Sequence, residues 1–372
     1  MGQALGHLYG YSDWSFLRRE ATYNLRASYT TVGGAGALQA TFTRGSTIVD
    51  WVAPPDTTPY GHTILANNRQ FRVANVLSAG SCQLDAPWFD ADGIYAVEVL
   101  NHEIALPRGT KSVLKVMLNQ SNTPLRQYSD TPQEMREWNL RSRGQPFYYA
   151  VSRREPLPSP IAAPTLAIGG AGITGAYFYW QTYWDPVTGA ESNLSPQSAV
   201  VNPADDTVTF TPATRADFYY KAYRSRASGT VPYFLQERLS ATATILDARA
   251  DVVLGLPATA EASSLYLSFH PIPNAVYQAL VVVSIVPPLP QAADDEPWIP
   301  EEDIPVLLDG AEYYMLTSTE EHQKAGVVQG MFRAGLDRMV VRDKLDRAHL
   351  ILVGGRDRGP YRSSFRAISV TP

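Results

Sequence analysis

The sequence carries a single cysteine, Cys82, in 372 residues. That excludes an intramolecular disulfide and any metal site built from several thiolates, and it fits assembly in a reducing compartment. Charge is also scarce. Charged residues make up 18% of the chain, 31 basic against 36 acidic, for a formal net charge of −5. A total of that sign gives no footprint for non-specific nucleic-acid binding by the chain as a whole. Long apolar runs are missing too. The most apolar stretch, Ala279 to Val286, is interrupted by Ser284 and stopped by Pro287–Pro288, far short of the ~20 residues a membrane helix needs. The first ten residues lack the basic start and apolar stretch of a signal peptide, so a soluble protein with no membrane partner is expected.

What the chain does have is 45% hydrophobic residues, with 28 Pro, 26 Gly and 21 Tyr. Aromatic and β-branched residues suit a pleated surface, and Gly and Pro suit turns. The expected fold class is α+β and β-rich, spread over two or three domains at roughly 150 residues each. Short strands are expected at Ala37–Thr43, Thr47–Val52, Gln70–Leu77, Ser81–Leu84 and Ile94–Leu100, divided by Asn67–Asn68 and other turns. This spacing suggests a small barrel or sandwich. Ser112–Leu118 and Phe147–Val151 read as further strands.

Three helical patterns stand out. Trp14, Leu17, Ala21 and Leu25 predict a helix opening at Ser12–Asp13. Thr131-Pro132-Gln133-Glu134 is a capping-box opening for a helix to about Arg143. Near the C-terminus, apolar residues recur at helical spacing from Ile304 to Met315 and again from Val328 to Met339.

Between Arg153 and Pro164 lies a Pro-rich linker, and a second linker falls near Ala258–Ser263. The strands between them, Ala176–Tyr183, Thr207–Thr211, Phe218–Tyr223, Tyr233–Leu239 and Ala243–Leu246, follow an immunoglobulin or fibronectin type III rhythm without the cysteine pair. Leu265–Phe269 and Tyr277–Ile285 then resume as strong strands.

The search for chemistry returns little. His102–Glu103 is adjacent rather than convergent, and Cys82 reads as a core thiol. Gly109-Thr110-Lys111-Ser112 lacks the first glycine of a phosphate loop, and Gly169-Gly170-Ala171-Gly172 reads as a flexible loop. Asp90 with Asp92, and Asp247 with Asp251, are the only tempting carboxylate pairs, both in turn-like sequence. No enzyme activity, cofactor or metal is expected. Asp294, Asp295, Glu296, Glu301, Glu302 and Asp303 form an acidic loop, which reads as a solvated segment or a face for a basic partner. Arg356, Arg358, Arg362 and Arg366 form a basic tail that could touch nucleic acid or, as the favoured reading, an acidic protein partner.

Two segments carry a resemblance: Gly144-Gln145-Pro146-Phe147-Tyr148, and Leu265-Tyr266-Leu267-Ser268-Phe269-His270-Pro271-Ile272-Pro273 continued by Tyr277–Ile285. With the Trp- and Arg-bearing N-terminal segment, Tyr29-Thr30-Thr31, the β-region around Gly45-Ser46-Thr47, Phe71-Arg72-Val73, Leu106-Pro107, the acidic Pro loop and the helix pair, this order of features resembles head-to-tail connector (neck or adaptor) proteins of tailed bacteriophages. The segment from Pro156 to Ala262 departs from that pattern and is similar to the fibronectin-like modules of phage structural proteins, on Gly175-Ala176-Tyr177, Thr188-Gly189-Ala190-Glu191-Ser192, Ser195-Pro196, Tyr223-Arg224 and Asp247.

The resemblance implies a discontinuous connector domain, residues 1–155 and 263–372, made of a small β-barrel or sandwich plus helices and split by an Ig/fibronectin-like β-sandwich at 156–262. It implies a structural virion protein of the neck or tail, assembled in the host cytoplasm. Such a protein forms a homo-oligomeric ring, twelvefold in the family, that meets the portal on one side and a downstream tail or neck protein on the other. Genomic DNA passes through its channel without sequence-specific binding. Trp14, Arg18, Arg19 and the four tail arginines are the implied portal or neighbour contacts. The competing expectation is a peripheral virion or tail protein whose Ig-like domain grips a host glycan or another virion protein.

Overall fold

The structure is a computed structural model. It describes all residues except 1, 13, 33–35, 53–61, 79, 120–122, 129–141, 216–217, 241, 259–261, 291–294, 296 and 355–372. The chain divides into two compact units: residues 17–298, and residues 1–16 together with 299–372.

The larger unit holds three β-bodies. The first strand, β1 (Arg18–Leu25), belongs to the second of them and is followed by the short pair β2 (Thr31–Val32) and β3 (Gly36–Ala37). Six strands then close a barrel in the order β4-β5-β8-β7-β6-β9: β4 (Gln39–Phe42), β5 (Ile48–Trp51), β6 (Thr63–Ala66), β7 (Arg69–Ser78), β8 (Ser81–Leu84) and β9 (Gly93–Leu100). Period-2 patterning makes it: Ala40 and Phe42, Val49 and Trp51, Cys82 and Leu84 point inward while their neighbours face out. Asn67 and Asn68, both at positive φ, form the two-residue link from β6 to β7, the conformation that primed hairpin turns require. Trp88 fills the interior, 4.3 Å from the Phe42 ring and 4.8 Å from Tyr95.

The second body is a sandwich assembled from distant parts of the chain. One sheet runs β1-β24-β11-β12, with β11 (Thr110–Leu118), β12 (Thr123–Pro124) and β24 (Tyr277–Ile285). The other runs β10-β22-β15-β13, with β10 (Glu103–Ala105), β13 (Arg126–Gln127), β15 (Tyr148–Arg153) and β22 (Leu265–His270). Leu106, Val116, Leu267, Phe269, Val281 and Val283 from both sheets share one core. Alongside, β14 (Arg143–Gly144) pairs with β23 (Ile272–Pro273). The two segments that carry the connector resemblance therefore meet, Gly144 opposite Pro273 and Tyr148 opposite His270, and β15 runs on from there to Arg153 opposite Leu265.

The third body leaves and returns at that last pair, where Arg154 N–H donates to Ser264 O at 2.8 Å. Two three-stranded antiparallel sheets, β16-β18-β21 and β17-β19-β20, enclose a core of Tyr179, Val208, Phe210, Tyr220, Leu235 and Ile245. Their strands are β16 (Thr165–Thr174), β17 (Tyr179–Trp184), β18 (Ala204–Thr211), β19 (Tyr219–Arg224), β20 (Tyr233–Arg238) and β21 (Ile245–Asp247). The aromatic strand β17 is core, with Tyr179, Trp180 and Tyr183 all buried. Its free edge is satisfied by three serines at a spacing of three. Ser192, Ser195 and Ser198 N–H donate to the carbonyls of Tyr183, Gln181 and Tyr179, while their Oγ atoms accept from the same three residues' amides at 2.9–3.0 Å.

The smaller unit is helical: α1 (Gly2–Tyr11), α2 (Ile304–Ser318) and α3 (His322–Gly354). Leu5, Leu8, Trp14, Leu307, Phe332, Leu336 and Met339 are among its buried side chains. Close approach depends on two glycines. A Cβ on Gly310 would lie 2.7 Å from Phe332, and one on Gly335 would lie 2.8 Å from Val306. Among the described residues no helix is long and apolar enough to cross a membrane.

Two sequence expectations change, and a third falls outside the described residues. The helix expected from Ser12 is instead a 3-10 turn, Ser15–Leu17, followed by strand β1. An i,i+4 pair such as Ala21 and Leu25 suits both periods, and eight consecutive pairings with β24 decide for the strand. The glycine run 169–172 is not a loop: it is the irregular middle of β16, where a Cβ on Gly172 would lie 2.6 Å from Asp206 O. The capping-box helix falls on residues 129–141, outside the described residues, and Arg143 at its expected end is in β14.

Gly310→Ala is expected to destabilise the helical unit by about 1–3 kcal/mol through overpacking, despite the better helix propensity of alanine. Gly326, whose Cβ position meets nothing within 4 Å, is the control: Gly326→Ala should stabilise by about 0.5–1 kcal/mol. Thermal unfolding followed by far-UV circular dichroism checks both signs.

Candidate functional site

The polar chemistry of the chain concentrates where the inserted sandwich meets the rest of the β-unit. The loop from Asp185 to Glu191 is the junction. Asp185, buried, accepts hydrogen bonds from Val187 N–H at 3.0 Å and Thr188 Oγ1 at 2.6 Å, and meets His62 Nε2 beside the barrel at 3.2 Å. Thr188 O accepts from Ala105 N–H of β10 at 2.7 Å. Gly189 sits at φ +76°, and a Cβ there would reach 3.3 Å from the Tyr23 ring of β1. One loop therefore touches barrel, central sandwich and insert, and glycine is required at its closest approach.

Glu191 closes the loop. Its carboxylate accepts from Thr182 Oγ1 at 2.8 Å, Arg108 Nη1 at 3.2 Å, Lys221 Nζ at 3.1 Å, and the Tyr223 hydroxyl. Burial alone would raise its pKa, but Lys221 and Arg108, with the hydroxyls of Tyr223 and Thr182, outweigh it and hold the carboxyl below its ordinary value. The same balance, through His62 and Thr188, depresses Asp185. A short apolar contact line, Ala105, Tyr266 and Leu157 against Tyr183, Ala190 and Phe218, completes the seam.

Two further ionic ties lie nearby, one within the central sandwich and one from β14 to barrel strand β9. Glu103 pairs with Arg154 and accepts from Ser268 Oγ at 3.0 Å, and Glu98 takes Arg143 Nη2 on both oxygens at 2.8 and 2.9 Å. His102 Nε2 lies 3.8 Å from Glu103. Burial and nearby Arg154 push that imidazole's pKa down to about 3, so it is neutral and the contact is not an ion pair.

Beside the junction opens a cleft of about 660 Å³. Trp184, Tyr223 and Phe234 of the insert line one side, and Arg19 and Tyr23 of β1 line the other. Lys221 lies 4.9 Å over the Trp184 ring. Three carboxylates line this cleft, Glu20, Glu191 and Glu237; Glu191 already holds two cations and two hydroxyls, so its chemistry is that of a clamp.

The carboxylate pairs singled out in the sequence are also clamps. Asp247 and Asp251 are bridged by the fully buried Arg224, each at 2.7 Å, and Tyr179 donates to Asp247. Asp90 accepts from Asn67 Nδ2 at 2.9 Å and pairs with Arg69, while Asp92 accepts from Arg44 N–H at 2.6 Å. Cys82 is buried in the barrel wall, where desolvation pushes its thiol pKa up to about 12, leaving no thiolate at neutral pH. Among the described residues no group of three or more His, Cys, Asp and Glu is placed to hold a metal ion.

The expected docking residues fare unevenly. Trp14 is buried and its Nε1–H donates to Leu8 O at 2.7 Å, so it is a packing residue rather than an exposed contact. Arg18 and Arg19 are half-buried at the start of β1, and the Arg19 guanidinium stacks 3.9 Å over Trp298. In the acidic loop, Asp295 turns inward and accepts from Thr230 N–H and Oγ1 at 2.8 and 2.7 Å. Asp303 is buried and pairs with Arg342, with Glu302 Oε1 3.5 Å from the same guanidinium, while Glu301 is exposed. Asp294, Glu296, Arg356, Arg358, Arg362 and Arg366 lie outside the described residues. Sequence reading singled out 188–192 and Ser195-Pro196 only as fibronectin-like elements and missed what they hold together; the S-x-x-S-x-x-S spacing of 192–198 was the visible signal of the ladder.

Glu191→Gln would strand Arg108 and Lys221, and is expected to cost about 3–5 kcal/mol. Because the native pKa is depressed, this stabilisation is present above the ordinary carboxylate pKa and fades as pH falls through the native value. Wild-type thermal stability should therefore drop steeply on acidification below about pH 4, and the drop should be shallower in Glu191→Gln. Thermal melts of both proteins across pH check it.

No protein-family model, curated protein or solved structure matches this chain.

Proposed function

We propose that the chain is a non-catalytic structural subunit of a tailed-phage virion, a connector whose copies form a ring between portal and tail and continue the DNA channel. The observation that carries this reading is the pairing of β15 with β22 and of β14 with β23. The two segments on which the connector resemblance rests form one sheet and a flanking ladder, although residues 154–264 separate them. A single domain split in this way, with an extra module leaving at one strand pair, is the architecture the resemblance implies.

The inserted body supports the second half of the reading. β18 is central in one sheet and β19, next in the chain, is central in the other; β20 then lies beside β19 and β21 returns beside β18. Such sheet switching belongs to Greek-key sandwiches of Ig and fibronectin kind. Asp247 and Asp251 are clamped within it by Arg224, and its junction is ionic and apolar together, as suits a module held rigidly on a durable assembly.

Heterologous contacts in a closed ring need different faces of one subunit to match. The partners on this reading are further copies, twelve in a ring that follows portal symmetry, the portal, and a downstream tail or neck protein. The chain needs no cofactor for this role.

The cleft beside Trp184 favours one second reading: the insert also grips a ligand, a glycan or another virion protein, on an aromatic wall suited to stacking.

Electron microscopy of the purified chain, alone and mixed with its portal, is expected to give closed rings; a persistent monomer that ignores portal contradicts the connector reading. Trp184→Ala separates the second: particles that assemble but fail to adsorb favour ligand binding, and normal adsorption counts against it.

A further inference from the structure

The two long helices of the smaller unit each carry an apolar stripe that their own packing does not use. On α2, Ile304, Leu308 and Met315 are exposed and Ala311 is half-buried, at spacings of four, three and four. On α3, Val327, Met331, Ala334, Arg338 and Val341 are exposed at four, three, four and three. That is heptad spacing, the pattern of a seam between helices. The α3 stripe lies on the side opposite Ala325, Phe332, Leu336 and Met339, the buried face of the same helix. Met315 is 59% and Met331 53% exposed, unusual for large apolar residues arranged in line.

The stripes overlap over about three turns and differ in charge. Ile304 to Met315 spans about 16 Å and Val327 to Val341 about 21 Å at helical rise. Residues 301–321, the α2 segment, contain Glu301, Glu302, Asp303, Asp309, Glu312, Glu320 and Glu321 and no Lys or Arg. Glu302 and Asp303 are met by Arg342 and Glu321 by Lys324 of the same chain, which leaves Glu301, Asp309, Glu312 and Glu320 for a neighbour. The α3 segment, residues 322–354, contains six basic residues (Lys324, Arg333, Arg338, Arg342, Lys344, Arg347) against three acidic (Asp337, Asp343, Asp346), a surplus of three positive charges. Arg338 stands within the apolar stripe itself, and exposed Glu312 borders the other between Leu308 and Met315. Gly326 and Gly330 beside the α3 stripe have open space at their Cβ positions, leaving a shallow groove for large side chains.

We propose that the α2 stripe of one copy packs on the α3 stripe of the next copy, head to tail. Charge selects this pairing. An isologous α3–α3 contact would set Arg338 and its basic neighbours against themselves, and an α2–α2 contact would oppose two wholly acidic segments, whereas α2 on α3 joins unlike charges along matched seams. Because the two faces of one subunit differ, the contact is heterologous and propagates from copy to copy, as a ring demands. This rests on the connector reading and assigns its subunit interface.

The test uses the full chain and two exposed-site variants, Met315→Lys on α2 and Met331→Asp on α3, followed by sedimentation velocity and electron microscopy with and without portal. Wild type is expected to associate with rising concentration. Each variant alone should remain monomeric, with association at least tenfold weaker, and far-UV circular dichroism should match wild type. An equal mixture of the two should stop at dimers, since one intact α2 face meets one intact α3 face. Association by either variant alone, or rings that persist in both, overturns the inference and leaves the connector reading standing. A wild type that stays monomeric even with portal overturns both. As a second check, Glu312→Arg and Arg338→Glu should each weaken association and together restore it; a double variant weaker than either single one overturns the charge pairing.

Discussion

The backbone pairing of β15 with β22 is the constraint on which the larger unit depends. Antiparallel partners place Arg153 opposite Leu265, so the chain can depart after one strand and come back on its neighbour. An excursion with adjoining ends adds little closure entropy to its host, which explains how a whole sandwich is carried without breaking the core around Leu267, Phe269 and Val281. The N-terminal strand β1 joins the same assembly through β24, so the first and last strands of the unit are neighbours.

A second layer of constraint is ionic. Glu191 and Asp185 are buried carboxylates and Glu103 is a half-buried one, each held by cationic or hydroxyl partners drawn from different β-bodies. Buried ion pairs contribute modest net stability over an apolar alternative, but removing one partner is costly. They therefore fix how the bodies register against each other more than how stable each one is. With these carboxylates committed in this way, the unit is built for durable geometry.

Much of the β-fold was legible because period-2 alternation is local. Ser81–Leu84, Leu265–Phe269 and Tyr277–Ile285 follow directly from their side-chain pattern, as do the two C-terminal helices from theirs. Strand β1 was misread because Ala21 and Leu25 fit both periods, and only the Val-rich partner β24 resolves the ambiguity. The glycine run of β16 was misread because its purpose, passing close to Asp206, is a tertiary fact. Trp14 looked like a docking residue for its size and basic neighbours, yet its indole is buried. The junction at Asp185–Glu191 was visible only as a motif, since His62, Ala105 and Arg108 converge on it from more than 75 residues away.

The proposed role is a position in a particle: a ring of copies in a phage neck. Cryo-electron microscopy of the intact particle's neck, at a resolution that traces side chains, is the decisive measurement. A closed ring of this chain coaxial with the DNA channel, with residues 154–264 as a distinct sandwich on each subunit, is the expected result. Copies found singly and off the axis, or a neck in which the chain is missing, would rule the proposed role out.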